Sequence, residues 1–326
     1  MDPALTAVPA LILIGAVALP ALVYLLLGTG EAIMTRLGPS SARGMRPWVW
    51  LLAPLAVVAL ILVYPLIATI IYAFRDEHGE KSVGLANIAW AFGDSMRTVL
   101  GTNIIWLIVF PVATLILALV VAVLFDRVPY EKLALTLILL PTAISFTAGS
   151  IIWRQFFSYQ PIGTPQTGLL NALWTALPGT DPIPWLQTPL LNTLCLIFVA
   201  VWSSLGVAAL ILSAAVKNVP AELLEASRLD GANELRIFFS ITLPSIMPAM
   251  LVVITTEVIF ALKVFDIVYV MTNGNFSTDT IANRMYAELF AADDLGHASA
   301  IALLLLVVAL PVVIINIQQF RAEEDR

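Results

Sequence analysis

The chain has 326 residues, 60% of them apolar and only 12% charged, with a formal net charge of −6. Soluble domains carry about 25% charged residues, so a water-soluble monomer of this composition would expose apolar patches large enough to aggregate. A mean hydropathy of +0.96 points the same way. These values exclude a secreted disulfide scaffold, a soluble α/β enzyme and a disordered tail, and the acidic balance gives no reason to expect a nucleic-acid partner.

The expected class is an all-α polytopic membrane protein, because lipid admits only helices and closed barrels and no period-2 alternation supports a barrel. Seven runs are long enough to cross about 30 Å of hydrocarbon: Val8 to Gly28, Trp48 to Phe74, Val99 to Phe125, Leu133 to Trp153, Leu190 to Leu212, Ser245 to Met271, and Ala298 to Gln318. No Lys or Arg precedes Arg36, so the first run lacks the basic start of a signal peptide and is expected to remain as a helix. It sets off residues 1–47 as an added helix and linker ahead of a main domain, 48–326.

Lys and Arg collect on alternate connections. Arg36, Arg43, Arg46, Arg127, Lys132, Lys217, Arg228, Arg236, Arg321 and Arg326 fall on one side, against Arg75, Lys81, Arg97, Arg154 and Arg284 on the other. The positive-inside rule then predicts N-out and C-in. The lone Cys195 lies in an apolar run and reads as a small buried hydrophobe. His78 and His297 show no Cys or carboxylate partner at metal-ligand spacing, so no metal is expected.

Two connections are long. The outer segment 154–188 combines Pro161, Pro165, Pro178, Pro182 and Pro184 with Phe156, Phe157, Tyr159, Trp174 and Trp185, which fits either an ordered docking loop or a cap that shields helix ends. The inner segment, 214–244, should form two short helices along the membrane. Asn218 is expected to cap the first, with Pro220 in its opening turn, Glu222 and Glu225 near the positive end of its dipole and Gly231 at its left-handed end. The second should start near Asn233 and stop before Pro244. By composition alone the first helix could equally rest on lipid headgroups.

The pattern within that segment is more specific. Glu225-Ala226-Ser227, three residues, Gly231, nine residues, then Ile241 and Leu243-Pro244 resembles the cytoplasmic loop of permease subunits of binding-protein-dependent ABC importers, with Ser227 in place of a second Ala. The resemblance extends to the maltose-type permeases through Gly84-Leu85-Ala86-Asn87, Pro141, Trp153 and Trp202. The stretch Lys263 to Phe276 with Ile281 to Tyr286 looks most like alpha-glucoside permeases.

This resemblance implies a six-helix core plus one added N-terminal helix, in the bacterial inner membrane. It implies a coupling helix that offers Glu222, Glu225, Ala226, Ser227, Asp230 and Gly231 to an ATPase. The implied partners are a second homologous permease, two cytoplasmic ATPase subunits and an extracellular solute-binding protein, all in membrane lipid. With no G-x-x-x-x-G-K-[ST] in the chain, no cofactor is expected on it; ATP and Mg would sit on the ATPase, and this subunit is not itself an enzyme.

Ionisable residues inside a span cost roughly 2.5 to 3.5 kcal/mol each and read as functional. The sixth run holds Glu257, Lys263 and Asp266. Lys263 and Asp266, three apart, are expected to form a structural ion pair. Glu257 has no partner at i+3 or i+4 and shares a face with Phe260, a combination suited to sugar hydroxyls and a pyranose face. The resemblance to the maltose-type permeases places a cargo site on Glu257, Phe260, Ala261 and Val264, with Thr142, Ser145 and Phe146 from the fourth run and Trp202, Ser203, Ser204 and Val207 from the fifth. Each hydroxyl could equally bond its own helix.

The expected activity is saccharide import, an alpha-glucoside di- or oligosaccharide being favoured. Glycerol phosphate or a polyamine is an alternative cargo, and a secondary transporter a more distant one. Neither repeated halves nor a convergent nucleophile and base is visible in the sequence.

Overall fold

The computed structural model describes residues 54–125 and 128–324, together with Ala21, Tyr24, Leu25, Gly28, Thr29, Trp48, Trp50, Leu51 and Leu52. The chain divides into two units, Met1–Ile71 and Tyr72–Arg326. Apart from those scattered positions, the expected helix Val8 to Gly28 lies outside the described residues, as does most of 1–47. Among the described residues four helices are long and apolar enough to cross a membrane, or six if two bent pairs each count as one span. All regular elements among them are helical.

The first unit holds most of α1 (Trp50–Tyr72), which widens into a π turn at Ala59–Val63. In the second unit the short α2 (Ala86–Ala91) precedes α3 (Asp94–Phe125), whose interior Pro111 is buried. The fourth span follows as α4 (Glu131–Leu139), a 3₁₀ turn at Leu140–Ala143 and α5 (Phe146–Phe156), the two halves bent by 97°. A single helix over Leu133 to Trp153 was expected, and Pro141 and Ser145 are why it breaks. Pro141 donates no backbone bond, Ile144 is extended, and the Ser145 hydroxyl accepts from Ala148 N at 3.2 Å to start a new helix.

The loop helix α6 (Leu169–Trp174) leads to α7 (Leu191–Lys217). Then come α8 (Ala221–Leu229), α9 (Glu234–Ser245), α10 (Met247–Leu262), α11 (Asp266–Met271), α12 (Ile281–Phe290) and α13 (Leu295–Glu324). The sixth span is thus not one helix from Ser245 to Met271. It bends by 68° between α9 and α10 and stops at Leu262, with α11 a separate short helix. Helix α9 runs through Pro244, where a stop was expected, by way of a π turn at Phe238–Thr242.

Two dry layers hold the second unit together. In one, Trp106 and Phe110 of α3 meet Leu196 and Ala200 of α7 and Ala261 of α10; in the other, Ala118 and Ala122 meet Ala208, Ala209, Leu212 and Val253. Sequence numbers rise together on α3 and α7 and fall on α10, so α3 and α7 run parallel and α10 antiparallel to them. Small residues let the backbones approach. A Cβ on Gly206 would lie 2.6 Å from the Ile138 carbonyl oxygen and 2.8 Å from Leu139 Cα, so only glycine lets α7 seat the end of α4.

At one end Glu131 pairs with Lys217, tying α4 to the base of α7. At the other end Asn192 donates to the Phe276 carbonyl at 2.8 Å, and Asn103 accepts from Ile281 N at 2.7 Å. The 154–188 segment at that end is ordered around one fully buried side chain. Asn171 donates to the carbonyls of Ser158 and Ile183 and accepts from Ile183 N and Trp185 Nε1, all within 3.2 Å. His297 does have carboxylates, contrary to expectation. Its Nδ1 lies 2.7 Å from Asp294 and 3.9 Å from Glu288, and its ring stacks on Trp90 at 3.8 Å. The i−3 spacing of Asp294 on one helical turn was the missed signal, and Arg284 already pairs with Glu288 at 2.8 Å.

Two substitutions test this packing. Gly206→Ala should lower stability by about 1–3 kcal/mol through overpacking against backbone, read as a fall in the melting temperature of the detergent-solubilised protein. Asn171→Ala strands several buried partners at about 1–3 kcal/mol each, and should make the 154–188 segment the first site cut in limited proteolysis.

Candidate functional site

Helix α10 buries a stripe at i, i+4 spacing: Val253, Glu257 and Ala261. Val253 belongs to one dry layer and Ala261 to the other, so Glu257 falls between them. It is 7% exposed, and among the described residues it makes no hydrogen bond or ion pair. At the corresponding level of α3, four residues from both Phe110 and Ala118, stands Thr114, fully buried with its hydroxyl unpartnered. On α7 the same interval holds buried Ser203 and Gly206. A layer of polar groups thus separates the two apolar layers. Sequence reasoning missed Thr114, although a threonine three residues after an intrahelical proline was a visible signal.

Around this level the structure unites some of the expected cargo residues. Phe260 meets Phe146 of α5 at 4.8 Å and Phe110 at 5.2 Å. Trp202 packs edge-on to Trp153 at 5.6 Å and would lie 3.4 Å from a Cβ on Gly149. Ser204 is half-buried, while Val207 and Thr142 are exposed. Ser145 is the cap of α5, so its oxygen already accepts one bond.

Other expectations fail. Ala261 and Val264, 0% and 2% exposed, sit in the dry layer with Ile267 and Val268 and offer a ligand no surface. Lys263 and Asp266 do not pair. The helix ends at Leu262 and resumes at Asp266, so the i, i+3 geometry is lost; both side chains are exposed, and Asp266 Oδ1 accepts from Thr147 Oγ1 at 3.5 Å.

At the opposite end from the Asn171 segment, α8 carries the Glu225-to-Gly231 pattern. Pro220, not Asn218, stands at its N-cap, because Pro220 is extended there while Asn218 closes α7. The C-terminal end is as expected. Gly231 has φ +81°, its N–H bonds the Arg228 carbonyl at 3.1 Å, and Ala232 N bonds the Ser227 carbonyl at 3.0 Å, the paired bonds of a Schellman motif.

Asn233 then caps α9 by accepting from Arg236 N at 2.8 Å. Arg228 Nε donates to Glu234 at 2.9 Å across the turn, and this bond raises the guanidinium pKa. The result is a rigid elbow. Glu222, Glu225, Ala226 and Asp230 are exposed on α8, while half-buried Ser227 spends its hydroxyl on the Leu223 carbonyl at 2.7 Å. Leu229 is 89% exposed at the tip, an apolar contact the sequence reading overlooked.

Residues 83–321 match the family described as the inner membrane component of binding-protein-dependent transport systems. The chain belongs to that family. It is 44% identical over 264 residues to the osmoprotective compounds uptake permease protein GgtC of Synechocystis sp., covering 81% of this chain and 94% of that protein. It is 38% identical over 284 residues to the alpha-glucoside transport system permease protein AglF of Rhizobium meliloti, covering 86% and 84%. The solved structure of a bacterial ABC transporter that imports the acidic polysaccharide alginate contains a chain with the same fold, at TM-score 0.74 and 22% identity, covering 86% of this chain and 96% of that one. The protein is thus an ABC permease, a transport subunit of the inner membrane.

Burial of Glu257 without a partner is a cost to folding. Glu257→Gln keeps the shape and removes the ionisable group, and should raise the melting temperature, by the equivalent of about 1–3 kcal/mol, in detergent-solubilised protein.

Proposed function

We propose that the chain is one transmembrane subunit of an ATP-driven saccharide importer whose cargo is an alpha-glucoside di- or oligosaccharide. The observation that carries this reading is the lone buried Glu257 in a polar layer beside the Phe260–Phe146 ring pair. The carboxylate can accept sugar hydroxyls and a ring can cover the apolar face of a pyranose. The alpha-glucoside permease among the relatives supports the cargo; relatives for osmoprotective compounds and sulfoquinovosyl glycerol mark its breadth.

In this reading the chain crosses the membrane seven times, N-out and C-in, with residues 1–47 as an added helix and linker. The elbow of α8 and α9 faces the cytoplasm, and a partner ATPase, which holds ATP and Mg, grips Glu222, Glu225 and Asp230 around Leu229. A second permease completes the pathway. The Asn171 segment, with Ile162, Leu173 and Leu177 exposed, faces outward to receive a solute-binding protein; a relative of this fold was solved with such a protein. Closure of the ATPase pair moves the elbow, and the bent spans switch access to Glu257 by differential affinity for the two states.

Three measurements test this. ATPase activity of the reconstituted importer, stimulated by its binding protein, should respond to at least one of maltose, trehalose and sucrose; silence to every saccharide rejects the cargo. Gly231→Pro cannot adopt a positive φ, so together with Glu225→Ala it should abolish uptake and co-purification of the ATPase, and normal uptake would reject the coupling role. Glu257→Gln should lower saccharide uptake by about tenfold or more, the loss expected of one charged hydrogen bond, while leaving ATPase assembly intact.

A further inference from the structure

A cavity of about 290 Å³ opens at the end of the molecule that carries the Asn171 segment. Three segments meet there: Arg154 from the end of α5, Gln187 from the loop, and Tyr269, Asn273, Asn275 and Phe276 from the end of α11 and the turn beyond it. Each wall is held from behind. The loop is fixed by Asn171, and Arg154 donates to the Val270 carbonyl at 3.2 Å. The turn is fixed by Asn192 on the Phe276 carbonyl and by Thr102 on the Ser277 carbonyl at 3.1 Å.

The turn is also strained. Asn273, Gly274, Phe276 and Ser277 all have positive φ, between 51° and 77°. Left-handed backbone at non-glycine residues concentrates in ligand clamps. It carries the Asn273 side chain to the cavity wall, where the amides of Asn273 and Gln187 make no hydrogen bond among the described residues. Asn275 spends its amide N–H on the Thr272 carbonyl at 2.8 Å, and the Tyr269 ring is backed by Phe265 at 5.1 Å.

We propose that this cavity is an outer saccharide subsite, which holds one pyranose ring of the cargo before it reaches Glu257. Each free side-chain amide both donates and accepts, as vicinal sugar hydroxyls require; the guanidinium adds donors and the tyrosine an apolar face. Ligand pockets begin at about 300 Å³, so this one takes a single ring. A rigid pre-formed wall keeps the ordering cost of binding low. The subsite lies among residues distinct from the Glu257 layer, and it rests on the saccharide reading above.

The test uses the intact importer in lipid nanodiscs without its binding protein, with radiolabelled maltose, trehalose and sucrose in equilibrium dialysis. The double variant Gln187→Ala/Asn273→Gly removes both free amides, and glycine retains the left-handed backbone at 273. The expected result is loss of one bound saccharide equivalent, or a Kd at least about tenfold higher at that site, as two lost neutral hydrogen bonds imply. The remaining equivalent, lost in Glu257→Gln, reports that the double variant is folded. If the double variant binds like the native importer while Glu257→Gln does not, the outer subsite is wrong and the cargo reading stands. If the native importer neither binds nor transports any of the three sugars, the cargo reading falls and the subsite with it.

Discussion

Every backbone N–H and C=O in hydrocarbon needs a partner inside the protein, and the places where this chain interrupts its helices are therefore the places that shape it. The break at Ile144 is tolerated because Ser145 supplies a cap and because α7 presents a bare glycine, Gly206, to the carbonyl of Ile138. The break at Ile246 turns the elbow helix α9 into α10. Without the first, Phe146 could not come back across the core to meet Phe260. Without the second, α8 would not be joined through a short bent lever to the helix that carries Glu257.

The same constraint explains the polar layer. Apolar packing above and below holds α3, α7 and α10 against one another, and it leaves Glu257 and Thr114 between the two layers. A carboxylate kept there costs stability, and function is the ordinary reason for retaining such a group. The elbow at the far end is built on the opposite plan. Its hydrogen bonds are local, from the Schellman pair at Gly231 to the Arg228–Glu234 bridge, so its shape is set within the segment itself.

Much of this was legible in residue order. Apolar run lengths located the candidate spans from Trp50 onward, since bilayer thickness fixes how long a helix must be. Gly231 announced its left-handed turn, and the Glu225-to-Pro244 spacing announced the elbow. Treating the sixth span as a continuous helix placed Lys263 beside Asp266, whereas the chain leaves the helix at Leu262; Ala261, still within α10, and Val264 beyond its end both pack into the apolar core. Loop order around Asn171 was illegible for a different reason: its hydrogen bonds reach residues 12 to 14 positions away, and no local pattern encodes them.

The sequence by itself determined that this is a helical membrane protein of the ABC permease family, because hydropathy and a fixed-spacing motif are properties of residue order. Its low charge content now resolves into particular groups: an exposed set on the elbow and, in the sixth run, an exposed Lys263 and Asp266 that do not pair and the buried carboxylate of Glu257. Only the tertiary structure decided which of the membrane charges stays alone, since pairing depends on where a helix ends and on what packs across from it. It alone also assembled the cavity at the Asn171 end, whose walls come from Arg154, Gln187 and the stretch Tyr269 to Phe276 and meet through folding.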